Sequence, residues 1–273
     1  MSDPGVWTQV ATPAQVRSML WNSTVAFVVA QMVVIVLHES AHAVTGLLQG
    51  YRATQFAGEV RFTPEQTTWA LVLTALAGPM FSLVSGLLAM MFRPFRGRGF
   101  GELLWAWMAF LSAQEGFGYL TIAPIITSGD TGVALSALRA PGWVGWLCTA
   151  IGLAGTLFLA RRFAVVGVRF TRDLHEIRAF CFYAWLIATG VLVVLSAVQL
   201  AVTPGTSIGA IVAIMAGSAS LGVFAPMAMS FWRRVKARKE LLDLAPVPRA
   251  GIAAAVALTL LNISVLSQGV HLG

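Results

Sequence analysis

His38 and His42 stand four residues apart near the end of the first apolar segment, with Glu39 directly after the first histidine. On a helix, residues i and i+4 lie on one face, so the two imidazoles can bind one metal ion. Glu39 is next to a ligand, where its carboxylate can reach a water molecule beside the metal. One Zn²⁺ ion fits this set, because zinc accepts two nitrogens and a carboxylate oxygen with one position left open.

A third ligand is expected after the third apolar run. Pro124 should end that helix because it lacks an N–H, and Gly129 permits a sharp turn. Asp130 follows, and it can either bind the metal or act as a plain N-cap of the next short apolar stretch. The stretch 103–139 is too long for one straight span, so we predict a broken helix with a re-entrant piece. Asp130 and the histidines then lie at the same membrane face, because the first and third spans run in the same direction.

Glu115 lies in the middle of the third apolar run, where a carboxylate is costly in hydrocarbon. It can compete with Asp130 as the third ligand, accept a hydrogen bond from a metal-bound histidine, or relay a proton. A structural carboxyl satisfied by its neighbours is the remaining interpretation.

The composition defines the surroundings of these residues. Hydrophobic residues make up 58% of the 273 residues, charged residues make up only 11%, and the mean hydropathy is +0.79. A soluble protein of this size could not cover its surface with so few charges. We therefore predict an all-α polytopic protein of the lipid bilayer. A cytosolic globular enzyme, a disordered chain and a soluble nucleic-acid binder are excluded.

Seven apolar runs are long enough to cross about 30 Å of hydrocarbon as helices, and the third is the broken one. Their bounds are Thr24–Leu48, Trp69–Phe92, Leu103–Ile126, Trp143–Ala160, Ala179–Val202, Ile208–Trp232 and Gly251–Leu266. With seven spans, 15 of the 18 basic residues fall on the side of the N-terminus and 3 on the other. The positive-inside rule then predicts a cytoplasmic N-terminus and an outer C-terminus. The excess of arginine over lysine suggests a GC-rich bacterial genome, and the expected location is then the bacterial cytoplasmic membrane.

Three segments resemble, in order, the motifs of the site-2 protease family of intramembrane zinc metalloproteases. The segment 38–42 resembles the zinc motif. Ala77-Gly-Pro-Met-Phe-Ser82 resembles the A-G-P-x-x-N segment, with Ser82 where asparagine is usual. The segment 121–132 resembles the N-x-x-P…D-G segment, with Thr121 for asparagine and one additional residue. The hydroxyls of Ser82 and Thr121 can still form hydrogen bonds beside the site.

The resemblance implies a zinc metalloendopeptidase that hydrolyses membrane-embedded or membrane-proximal substrates. The implied ligands of the single zinc ion are His38, His42 and Asp130, and the implied base is Glu39. The partner would be a transmembrane protein substrate, and the sequence indicates no oligomeric state. Family members commonly keep the active site toward the cytoplasm, whereas the charge count places it near the outer face, and both remain open.

The resemblance also divides the chain. Residues 24–140 form the catalytic membrane core, after an N-terminal cytoplasmic segment 1–23. Residues 141–273 add further membrane helices without a recognisable motif. Two alternatives to a protease stay open, namely a transporter or metal-handling protein, and a catalytically silent family member.

The segment Tyr51–Phe62 mixes aromatic and β-branched residues with polar ones directly after the zinc motif. This pattern predicts a short hairpin at the membrane edge. Such a hairpin could accept an extended substrate by strand addition, or it could be an ordinary connecting loop.

Overall fold

A computed structural model describes residues 10–202 and 222–273. Most of these residues are helical. The helices are α1 (Pro13–Leu48), α2 (Thr68–Ala89), α3 (Phe100–Ile122), α4 (Asp130–Ala137), α5 (Gly142–Phe170), α6 (Leu174–Arg178), α7 (Ala184–Val202), α8 (Phe224–Ala228) and α9 (Arg249–Ser264). A π-helical turn, Ala179–Tyr183, joins α6 to α7, and single 3₁₀ turns lie at Trp232–Arg234 and Leu266–Gln268. The strands are β1 (Arg52–Gln55), β2 (Val60–Thr63) and β3 (Val270–Leu272).

Five helical stretches are long and apolar enough to cross a membrane. They are α1, α2, α5, the continuous stretch Leu174–Gln199 and the stretch Arg249–Gln268. The five correspond to the first, second, fourth, fifth and seventh predicted spans. The membrane character of the chain is therefore supported, whereas the count of seven spans is not confirmed.

The third predicted span forms α3, which is not among those five stretches. It carries the buried side chains of Glu102, Gln114 and Glu115. These polar groups are tolerated because α3 packs against α1, α2 and α5 and faces protein on several sides. The sixth predicted span, Ile208–Trp232, lies largely outside the described residues, and α8 belongs to its described end.

An aromatic cluster holds α3 against its neighbours. The fully buried Trp107 ring lies 4.8 Å from Phe27 and 4.7 Å from Phe163 between centroids. Phe180 of the π-helical turn lies 5.6 Å from it. The Trp107 indole N–H donates to Ser23 Oγ at 2.9 Å, so the polar edge of the ring is satisfied. Because the rings come from α1, α3, α5 and the π-helical turn, the cluster fixes the relative positions of these elements.

Two glycines bring α2 and α3 into close contact. A Cβ on Gly86 would overlap the backbone of Ala113. A Cβ on Gly116 would lie 2.7 Å from the Pro79 carbonyl oxygen. Small residues permit such approaches between membrane helices, and α2 is therefore held tightly beside α3.

The third helix is broken, as the sequence predicts. α3 ends at Ile122, just before Pro124, and α4 begins at Asp130 with Gly129 as its N-cap residue. The loop folds back so that α4 packs against α2 as well as α3. The break therefore places the first residue of α4 beside the helices that precede it.

A three-stranded antiparallel sheet follows the C-terminal end of α1, in the order β2-β1-β3. The predicted hairpin is confirmed, with Ala53 of β1 opposite Phe62 of β2. The sequence did not predict β3, whose Leu272 also lies opposite Ala53. Gln55 connects the sheet to α1, since its Nε2 donates to Ser40 Oγ at 3.2 Å. The fold is thus helical with one small sheet next to the histidine motif.

Charged side chains join chain segments at the opposite end of the helices. The Arg93 guanidinium, beyond the end of α2, contacts the carboxylates of Glu102 and Glu240. The backbone N–H of Glu240 donates to the Arg169 carbonyl oxygen at 3.0 Å. Arg93 and Glu240 lie in loops, and Glu102 and Arg169 lie near helix ends, all at the side of the membrane to which the charge pattern assigns the basic loops.

The ion pair at Glu240 carries a pH-dependent prediction. The hydrogen bond from Arg93 lowers the pKa of Glu240 below that of an ordinary glutamate. Its charge therefore stabilises the fold above about pH 4.3 and loses that effect as the pH falls through its lower folded-state value. We expect Glu240→Gln to lower Tm by roughly 1–3 °C at pH 7, with the difference shrinking below about pH 4.

Thermal unfolding of the purified protein in detergent, followed at pH 7 and below about pH 4, measures this effect. Asp243→Asn is the control, because within the described residues the Asp243 carboxylate forms no ion pair. A difference in Tm between wild type and Glu240→Gln that is equal at both pH values would argue against the assigned cause.

Candidate metal centre

Three side chains from α1 and α4 converge on one point. His38 Nε2 and His42 Nε2 lie 2.9 Å and 3.2 Å from the same oxygen, Asp130 Oδ2. The two imidazole nitrogens are 3.1 Å apart. Among residues 10–202 and 222–273, these three form the one group of His, Cys, Asp or Glu side chains that could hold a metal ion. They are the three ligands predicted from the sequence.

The spacing and the donor types fit a zinc ion. Tetrahedral zinc bonds of about 2.0–2.1 Å place neighbouring ligand atoms about 3.3 Å apart. The three observed separations, 2.9, 3.1 and 3.2 Å, are close to that value. Two imidazole nitrogens and one carboxylate oxygen also leave a fourth position for water or substrate. The residues present can therefore accept the metal after a small expansion of the group.

Gly78 of α2 leaves the space beside these ligands. A Cβ at this position would overlap Nε2 of both His38 and His42. Gly78 belongs to the Ala77–Ser82 segment that resembles the family motif, and Pro79 follows it inside α2. The α2 backbone thus forms one wall of the site, and this wall requires glycine.

A backbone carbonyl orients His42. Its Nδ1 lies 2.7 Å from the Thr74 carbonyl oxygen, so Nδ1 carries the proton and Nε2 keeps its lone pair for a metal. The Thr74 hydroxyl accepts hydrogen bonds from Gln49 Nε2 at 3.1 Å and Gln66 Nε2 at 2.9 Å. The two amides fix the position of Thr74, and the Thr74 carbonyl oxygen fixes the orientation of the His42 imidazole.

Ser82 and Tyr119 hold His38. Ser82 Oγ lies 3.1 Å from His38 Nδ1, which leaves Nε2 for the metal when Nδ1 donates to the hydroxyl. The Tyr119 ring stacks on the imidazole with centroids 5.2 Å apart and planes inclined by 15°. Its phenol group also lies near Asp130. Ser82 is thus where the sequence predicted a supporting residue, and Tyr119 is an additional contact.

The contact to Ser82 predicts a graded loss of metal affinity. In Ser82→Ala the His38 ring loses its acceptor, and we expect zinc affinity to fall by about 10–100-fold. Competition with a chromophoric chelator measures the change. Ser85→Ala is the matched control, because Ser85 lies on the same helix and its hydroxyl contacts Ser112 and the Ser82 carbonyl oxygen instead of a histidine. Equal affinities of Ser82→Ala and wild type would remove this role of Ser82.

Glu39 is an acidic side chain close to the three converging residues. Its side chain is buried beside the group, and both His38 and His42 interact with it electrostatically. Within the described residues no hydrogen bond occupies its carboxylate, so the oxygens are free to accept from a water molecule. One buried carboxylate therefore interacts electrostatically with the three converging residues without belonging to their group.

Two further sequence candidates lie elsewhere. The Thr121 hydroxyl donates to the Phe117 carbonyl oxygen at 2.8 Å, and the Thr121 carbonyl accepts from Thr149 Oγ1 at 2.9 Å. Thr121 thus contacts its own helix and α5, and the structure does not bring it to the metal group. Glu115 is buried on α3, but its carboxylate accepts from Gln31 and does not join the three ligands.

Sequence reasoning missed Thr74, Gln49 and Tyr119. Thr74 acts through its backbone carbonyl, which leaves no trace in residue type. Tyr119 lies eleven residues before Asp130 in the chain, and only the fold of the broken helix brings it to His38. Searches against protein-family models, curated proteins and solved structures find no match to this chain.

Proposed function

We propose that the chain is a zinc metalloendopeptidase that cleaves peptide bonds of transmembrane or membrane-proximal substrates. The observation that carries this proposal is the convergence of two imidazole nitrogens and one carboxylate oxygen beside the free carboxylate of Glu39. A pure metal-binding site has no need of that fourth residue, whereas hydrolysis needs a base. The helical membrane character of the chain supports a substrate in the bilayer.

The proposed reaction assigns one proton path to Glu39. A zinc ion held by His38, His42 and Asp130 supplies Lewis acidity toward water and toward the scissile carbonyl. Glu39 takes a proton from water as the water oxygen bonds to the carbonyl carbon. Glu39 then gives that proton to the amide nitrogen as the C–N bond breaks, and an acid and an amine leave.

Two features beside the centre suit a membrane substrate. A largely apolar groove of about 420 Å³ lies between α1 and α2, lined in part by Thr45, Leu73, Ala77 and Met80. The sheet order leaves the outer edge of β2 without a partner strand among the described residues. An extended segment of substrate can pair with such an edge, and we propose that β2 receives it.

Chelation tests this function. The purified protein in detergent would be incubated with single-span membrane proteins, and fragments would be identified by mass spectrometry. We expect cleavage that 1,10-phenanthroline abolishes and added zinc restores. Cleavage that persists in the chelator would contradict the proposal. Zinc uptake into proteoliposomes, with no cleavage of any substrate, would favour the transporter alternative.

A further inference from the structure

A carboxyl and an amide meet inside the helical bundle, and neither belongs to the group of three converging ligands. Glu115 of α3 and Gln31 of α1 are 7% and 1% exposed. Gln31 Nε2 donates to Glu115 Oε2 at 3.3 Å. The other end of the amide, Gln31 Oε1, is buried and has no hydrogen-bond partner. The pair therefore contains one buried carboxyl and one unsatisfied acceptor.

Glu102, a second buried carboxyl on the same helix, shows what an ionised group receives in this protein. Its Oε1 accepts from Arg93 Nε at 2.8 Å, and its Oε2 accepts from the Gly97 backbone N–H at 2.7 Å. Glu115 has no such cation, since no Lys or Arg in the described residues forms an ion pair with it. A neutral amide is a poor substitute for a guanidinium around a buried charge.

Nearby carboxylates also disfavour a charge on Glu115, whereas His38 acts in the opposite direction. These carboxylates are Glu39 of α1 and Asp130 of α4. Tyr119 interacts with Glu115 from its own helix, and α2 contains no titratable side chain. Two of these neighbours are carboxylates, and like charges repel in a low-dielectric interior.

Protonation of Glu115 removes the unpaired buried charge and provides a donor for Gln31 Oε1. The carboxylic acid is neutral, and its O–H can donate to the unsatisfied Gln31 Oε1 while Oε2 accepts from Gln31 Nε2. We propose that Glu115 is a protonated acid that forms a cyclic acid–amide pair with Gln31. This proton-binding site connects α1 and α3, and it does not depend on the proposed hydrolysis.

Infrared spectroscopy of the protein in lipid nanodiscs tests the proposal. A protonated carboxyl has a C=O stretch distinct from carboxylate bands, and this stretch shifts in D₂O. The wild-type-minus-Glu115→Gln spectrum is expected to contain that band at neutral pH. Glu102→Gln is the matched control, and its difference spectrum is expected to show carboxylate bands only.

A second variant tests whether Gln31 is the hydrogen-bond partner of the acid. In Gln31→Leu the acid loses its hydrogen-bond partner, so its C=O stretch is expected to remain and move to higher frequency. This measurement stands even where Glu115→Gln fails to fold. A Glu115 difference spectrum that contains only carboxylate bands would overturn the proposal. So would a C=O stretch that is unchanged in Gln31→Leu.

Discussion

Glu39→Gln is expected to lose peptide-bond cleavage and keep its zinc. Glutamine has nearly the same shape as glutamate but cannot take a proton from water. The three ligand atoms belong to other residues, so the metal should stay. General-base catalysis of this kind contributes about 10²–10⁴-fold, and kcat/KM should fall by at least that factor. Fragment formation and zinc content would be measured on the same preparation.

A second glutamate provides the control for this variant. Glu240 lies at the opposite end of the helices and contacts Arg93, so Glu240→Gln should cleave at the wild-type rate. Full turnover by Glu39→Gln would remove the mechanism. Loss of zinc from Glu39→Gln would instead make Glu39 part of the binding site.

Gly78→Ala, which adds a single methyl group, is expected to abolish metal binding. The added Cβ would overlap the metal-facing Nε2 atoms of both His38 and His42. Either the imidazoles turn away or α2 moves outward, and overpacking of this kind costs about 1–3 kcal/mol. We expect the zinc content to drop to a small fraction of wild type, measured by atomic emission on purified protein.

Gly190→Ala is the matched control, because Gly190 lies in the membrane helix α7 with nothing within 4 Å of its added Cβ. It should bind zinc as wild type does. Wild-type zinc content in Gly78→Ala would show that α2 does not wall the site as described.

The local parts of the site were predictable because they depend on helical geometry. The spacing of His38 and His42 places them on one face of α1, and Pro124 and Gly129 break the chain where α3 ends. Asp130 was therefore expected near the histidines and is found there. Gly78 and Ser82 were found through a motif, but their contacts to the imidazoles required the packing of α2.

The parts that were missed depend on contacts between distant segments. β3 is three residues long and pairs with β1, more than 200 residues earlier in the chain. The third predicted span is not confirmed as one, because α3 carries buried polar residues and packs against other helices. The charge pattern predicted that the basic loops lie on one side, and the contact of Arg93 with Glu240 does bring two of those loops together.

Zinc content of the purified protein tests the metal centre most directly. Wild type, His38→Ala, Asp130→Ala and Glu115→Gln would be prepared in parallel and analysed for bound metal. We expect one zinc ion per chain in wild type and Glu115→Gln, and almost none in His38→Ala and Asp130→Ala. A wild-type protein without metal, or an Asp130→Ala protein that retains it, would contradict the three-ligand centre.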